Sequence, residues 1–127
     1  MTNISKSHLN TKDYQQVYQQ FCRSVTQLSS QQTVPFIDEL LTESEKIMLT
    51  KRFGAVMMFS KEQSPYRVAT TLGISIPTAS RLFAAYQAGR YDALLASIPR
   101  KQHRELWKIL HDLIVAQASP RARARLM

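Results

Sequence analysis

Between Ser75 and Arg81 the sequence sets out hydroxyls at Ser75, Thr78 and Ser80 and a guanidinium at Arg81. Hydroxyls donate and accept hydrogen bonds, whereas a guanidinium only donates, in a rigid fork that matches paired acceptors such as two phosphate oxygens. No histidine or carboxylate stands among them, so they do not form a nucleophile and base. The other reactive groups are scattered. His103 and His111 lie two helical turns apart and do not close a metal site. Asp38, Glu39, Glu43 and Glu45 read as helix-start carboxylates that favour the positive end of a helix dipole. Cys22 is the single cysteine, which excludes an internal disulfide and any multi-cysteine zinc site; a buried or half-buried helix position is expected for it. The three glycines are isolated, so no loop can cradle a phosphate. The expectation is a protein that is not an enzyme, with no metal and no cofactor.

Two short helices and a tight turn must position the hydroxyls and the arginine. Ser64 can cap a helix whose first residue, Pro65, has no N–H to leave unpaired, and this helix runs through Val68, Ala69 and Leu72. Gly73 can take the positive φ of the turn, and Ala69 is small where the helices cross. Ile74 plugs the turn. The second helix starts near Ile76 or Pro77 with Ser75 as its cap, keeps Ala79, Leu82, Phe83 and Tyr86 on one face, and ends before a left-handed Gly89. Pro77, Thr78, Ser80, Arg81 and Ala84 are left facing outward. Residues 64–87 thus follow a helix-turn-helix pattern. In such a motif the start of the second helix enters the DNA major groove, where Ile76, Pro77, Thr78, Ser80 and Arg81 would read base edges. Lys61, Ser64, Arg67, Ser75 and Arg90 would hold the phosphate backbone. A plain helical hairpin uses similar corner residues, but the apolar positions, both serine caps and the basic context agree on the DNA reader.

The 127 residues carry 17 Lys and Arg against 9 Asp and Glu, a formal net charge of +8. The excess grows along the chain: residues 100–127 hold seven basic and two acidic side chains. A basic second half suits a polyphosphate partner better than a membrane surface. No apolar run reaches the roughly 18–20 residues needed to span a bilayer, and the polar first twenty residues do not form a secretory signal. A cytosolic protein is expected, made of a frayed arm at 1–10, one domain at 11–118 and a disordered basic tail at 119–127 carrying Arg121, Arg123 and Arg125.

The rest of that domain reads as helix, with no strand pattern and no repeat, so the fold class is all-α. Tyr14, Tyr18, Phe21, Val25 and Leu28, with Val17 beside them, form a seam at heptad spacing on a helix opened by Asn10 or Thr11. That seam packs either on the chain's own core or against a second subunit. Ser29–Gln32 reads as a polar linker, and Thr33 and Pro35 as the start of a brief helix carrying Phe36, Ile37, Leu40 and Leu41. Thr42-Glu-Ser-Glu45 matches a reciprocal capping box and opens a helix over about 43–59. Its Ile47, Met48, Leu49, Phe53, Val56, Met57 and Phe59 predict a central, surrounded helix, with Gly54 at a close crossing and Met48, Met57 and Met58 as core filler. A short helix with Tyr91, Leu94 and Leu95 stops at Pro99. The last helix, over about 100–117, sets Leu106, Leu110, Leu113 and Ile114 against Arg100, Lys101, Arg104 and Lys108, with Trp107 at its edge and Ser119-Pro120 as its end.

Leu40-Leu-Thr-Glu-Ser-Glu45, Leu49-Thr-Lys-Arg52, Leu72-Gly73 and Ile76-Pro-Thr-Ala-Ser-Arg81 together resemble the Trp repressor family over about residues 36–83. The resemblance implies an intertwined homodimer that binds double-stranded DNA as a repressor in the bacterial nucleoid. Its reading helices would meet successive major grooves about 34 Å apart. It also implies a small-molecule pocket at Leu40, Leu41, Thr42, Arg52, Thr78 and Arg81, in which the two arginines flank a tryptophan. The chain departs from the family at Leu82, where a glycine leaves room for the indole, at Ala85, where a serine stands, and in a loop one residue shorter before the motif. A leucine fills that slot, so the expectation is DNA binding without tryptophan. The second reading is a helical adaptor that docks an acidic protein through its basic tail and the helix of Trp107.

Overall fold

A computed structural model describes residues 10–118, and all regular structure among them is helical. Seven helices follow in order: α1 (Thr11–Thr26), α2 (Ser30–Leu40), α3 (Glu43–Ser60), α4 (Pro65–Leu72), α5 (Ile76–Gln87), α6 (Asp92–Ala96) and α7 (Arg100–Ala118). The expected arm, apart from Asn10, the basic tail and the Ser119-Pro120 stop lie outside the described residues. The chain divides into two compact units, Met1–Met48 and Leu49–Met127.

In the first unit, α1 begins where its cap predicts: the Asp13 amide donates to Asn10 Oδ1 at 2.8 Å. The seam forms a ladder of rings, with centroids 6.1 Å apart for Tyr14 and Tyr18 and 6.5 Å for Tyr18 and Phe21. Phe21 also meets Phe36 of α2 at 6.3 Å. Yet no residue of α1 or α2 is buried, and Cys22 is half-buried.

Two expectations about α2 are corrected. Ser29–Gln32 is not a linker but the opening of the helix, because Ser29 and Gln32 form a second capping box: the Gln32 amide donates to Ser29 Oγ at 3.2 Å, and the Ser29 amide to Gln32 Oε1 at 3.0 Å. Pro35 therefore lies inside the helix and takes one donor from its ladder. Asp38 and Glu39 then fall in the last turn of α2, not at a helix start. There the dipole opposes their charge. Asp38 is partnered instead by Lys46, at 3.2 Å, whose ammonium also reaches Glu43 at 3.1 Å. Both carboxylates hold the Lys46 ammonium above its usual pKa, with the bond to Glu43 the larger cause.

In the second unit α3 supplies six consecutive buried residues, Gly54–Phe59. Ala55, Met57, Met58 and Phe59 join Val68 and Ala69 of α4, Ala79 of α5, and Leu110 and Ile114 of α7 in one core. Gly54 does mark a close crossing: a Cβ there would stand 3.4 Å from Leu72 and 3.8 Å from Leu110. The surrounded character stops short of the helix start, however, since Ile47, Met48 and Leu49 are 46–49% exposed. Met48 is thus not core filler, whereas Met57 and Met58 are. On α7, Leu113 also departs from its expected face at 41% exposure, and Trp107 packs onto the core beside Leu106.

The capping box at the start of α3 forms as predicted. The Thr42 amide donates to Glu45 Oε1 at 2.9 Å, and the Glu45 amide to Thr42 Oγ1 at 3.2 Å. Accepting the Thr42 amide holds the Glu45 carboxyl below its ordinary value of 4.5. A carboxylate depressed in the folded state stabilises above its unfolded pKa, and loses that contribution as pH falls through its folded pKa. Glu45→Gln keeps the acceptor but removes the titration. Urea melts should accordingly show wild type ahead of Glu45→Gln near neutral pH, with the gap closing on acidification through the carboxylate range.

Candidate functional site

The pair α4–α5 is built almost residue by residue as its local sequence requires. Ser64 Oγ accepts from the Arg67 amide at 3.1 Å, with Pro65 at the first helical position. Gly73 ends α4 at φ 68° and ψ 44°, in the left-handed region. The amides of Gly73 and Ile74 both return to the Ala69 carbonyl, at 3.0 and 3.1 Å, which closes the turn tightly. Ser75 then caps α5 by accepting from the Thr78 amide at 3.1 Å. Beneath the pair, Phe59 of α3 meets Phe83 at 5.0 Å and Tyr86 at 5.8 Å. Gly89 follows α5 at φ 84°.

One contact that fixes the turn carries no local signal. Lys51 of α3 donates from Nζ to the Gly73 carbonyl at 3.0 Å, across 22 residues. A cation on a helix's C-terminal carbonyl is favoured by the helix dipole, so Lys51 secures the exit of α4 from outside that helix. Tyr66, in the first turn of α4 and 65% exposed, was also missed, because the apolar period of that helix passes over it.

The structure places the candidate reading residues on one exposed end of the pair. Ile76 is 51% exposed, Pro77, Ser80 and Arg81 are exposed, and Thr78 is half-buried. Ser75, Thr78 and Arg81 are brought together: Ser75 Oγ donates to Thr78 Oγ1 at 2.8 Å and Arg81 Nη2 donates to the same oxygen at 3.3 Å. Lys61, Ser64, Arg67 and Arg90 are exposed as well, the first in the α3–α4 turn and the last just after α5. Glu62 beside Lys61 takes φ 61° as the amides of 61–63 fold back on Met58 and Phe59.

The small-molecule set is split. Leu40, Leu41 and Thr42 belong to the first unit, and Arg52, Thr78 and Arg81 to the second. Thr78 and Arg81 are hydrogen-bonded to each other, while Arg52 is exposed on α3. Leu82, the residue that departs from the family pattern, packs against the core. Elsewhere, His103 Nε2 stands 3.2 Å from the Leu95 carbonyl and ties α7 to α6, and His111 sits edge-on to Trp107 at 5.8 Å. Among the described residues no three His, Cys, Asp or Glu side chains gather to hold a metal, and no helix is long and apolar enough to cross a membrane.

No family model matches the chain, and neither does a curated protein or a solved structure.

Gly73 isolates the backbone contribution to this site, because a Cβ there would meet only Lys51 Nζ, at 3.7 Å. Gly73→Ala should cost about 1–2 kcal/mol through left-handed strain alone. Gly73→Asn should cost less, since asparagine tolerates that region. Urea denaturation of the two variants beside wild type measures the difference.

Proposed function

We propose that the chain is a sequence-specific regulator, of the repressor type, that binds double-stranded DNA as a homodimer with α5 in the major groove. The observation that carries this reading is the α4–Gly73–α5 pair. Its apolar sides pack into the core, while the start of α5 leaves Ile76, Pro77, Ser80 and Arg81 exposed and Thr78 half-buried. An exposed helix start with a fork-shaped donor and no carboxylate suits base edges and phosphates. The surrounding cations, Lys61, Arg67 and Arg90, suit the backbone. The resemblance to the Trp repressor family gives the same orientation and a two-fold arrangement. A second copy also answers the exposed ladder of Tyr14, Val17, Tyr18, Phe21 and Val25, each 41–59% exposed. Heptad spacing suits such a ladder to pairing with its own copy.

Fluorescence anisotropy with random duplex DNA should show binding that weakens steeply with salt, because each neutralised phosphate releases counterions. Arg81→Ala should relax sequence preference by about 1–3 kcal/mol at one base pair. Deleting 121–127 should weaken binding to all duplexes alike and flatten the salt slope. Flat anisotropy at low salt overturns the proposal and leaves the protein-docking adaptor. Identical effects from the two variants overturn the division of roles.

Tryptophan is not the effector in this proposal. By the resemblance, Leu82 stands where the family's glycine leaves room for an indole, and it packs against the core. Titration calorimetry with tryptophan should give no saturable heat at micromolar ligand, and a saturable isotherm overturns the claim.

A further inference from the structure

Ser75, Thr78 and Arg81 recur every three residues from the cap of α5, so they form one row along its exposed side. Ser80 lies about 100° around the helix from Arg81 and is not part of the row. Within it the hydrogen bonds have a direction. The Thr78 amide donates to Ser75 Oγ at 3.1 Å, the Ser75 hydroxyl donates to Thr78 Oγ1 at 2.8 Å, and Arg81 Nη2 donates to that same oxygen at 3.3 Å. A hydroxyl oxygen accepts two hydrogen bonds, and Thr78 Oγ1 has spent both. What Thr78 still offers a partner is its own proton.

Arg81 can only donate in any circumstance. Pro77 has no N–H, and the side chain of Ile76 is apolar. The row therefore presents donors at 78 and 81 and no free acceptor on Thr78. In the major groove, guanine offers two adjacent acceptors, O6 and N7. Adenine sets a donor beside its single acceptor, cytosine offers a donor, and thymine offers one acceptor beside a methyl group. An amino group facing Thr78 and Arg81 would meet donors and stay unpaired, which penalises adenine and cytosine. Anchoring the guanidinium on Thr78 also reduces the side-chain freedom lost when the fork engages a base.

We propose that Ser75, Thr78 and Arg81 are a hydrogen-bonded relay that makes the Thr78–Arg81 end of the row a donor surface selecting guanine, with Thr78 the positioning residue for the Arg81 guanidinium. The relay rests on the DNA-binding reading above and specifies the base that reading leaves open.

The test uses the full chain. Bound sites are selected from a random duplex library, and affinity is then measured on the selected duplex with each guanine replaced by 7-deazaguanine, which lacks the N7 acceptor. Wild type should select a guanine in each half-site and lose about tenfold in affinity at one 7-deaza position. Thr78→Val keeps the side-chain shape and the capped amide; it should shrink that loss to twofold or less with unchanged helix content, and Thr78→Ser should restore it. Arg81→Lys leaves Thr78 in place and should lose most of the discrimination too, so the outcome does not depend on the valine variant folding. Selected sites without guanine, or full discrimination in both Thr78→Val and Arg81→Lys, overturn the relay while duplex binding stands. No binding to any duplex at low salt overturns the DNA-binding reading itself, and the relay with it.

Discussion

Six successive residues of α3, Gly54–Phe59, are withdrawn from solvent, and the second unit depends on that single fact. A helix that packs on one side buries every third or fourth residue, whereas a continuous buried run needs neighbours all round. Those neighbours are α4, α5 and α7, which contribute Val68, Ala69, Ala79, Leu110 and Ile114. Gly54 permits a close approach, with Leu72 3.4 Å from where its Cβ would stand. The two methionines in the run, Met57 and Met58, are 1% and 0% exposed, and their unbranched chains fill the irregular space that several crossing helices leave.

The candidate site inherits its precision from this core without being part of it. Val68 and Ala69 seat α4, the Ala69 carbonyl then gathers two amides to close the turn, and Ala79 seats α5 with no measurable exposure. Lys51 adds the one polar tie from α3 to the turn. Each link constrains the next. The start of α5 is consequently held by groups that would never touch a ligand, which leaves its outward row free to carry recognition. The Thr71 hydroxyl is the one buried side-chain N or O atom without a hydrogen-bond partner among the described residues.

What could be read from the sequence followed the range of the forces involved. Caps and turns are decided within four residues, so Ser64, Pro65, Gly73, Ser75 and the Thr42–Glu45 box fell where their spacing put them. Polar composition alone hides the reciprocal cap at Ser29–Gln32, and with the helix start displaced, Pro35 falls inside α2 and Asp38 and Glu39 in its last turn. Longer-range facts had no such trace. Apolar character marked Ile47, Met48 and Leu113 for burial, but burial depends on which neighbours arrive, and here they remain 41–49% exposed. The bond from Lys51 to Gly73 spans 22 residues, and the hydroxyl relay depends on rotamers, so neither is written in any spacing rule.

The two units differ in what stabilises them. In the second, apolar residues leave water and offset the entropy of ordering the chain. In the first, α1 and α2 bury nothing, although α1 alone sets Tyr14, Val17, Tyr18, Phe21 and Val25 along one stripe. Helices of 16 and 11 residues are marginal without a packed face, and segments below about 40 residues seldom support a core of their own. The proposed dimer would supply such a face. Pairing two such stripes would bury the rings that now lie half in water. In that dimer, folding of the first unit would be coupled to assembly, because the surface completing its core would belong to another copy. In the proposed homodimer, one guanine contact per reading helix would become recognition of a paired site.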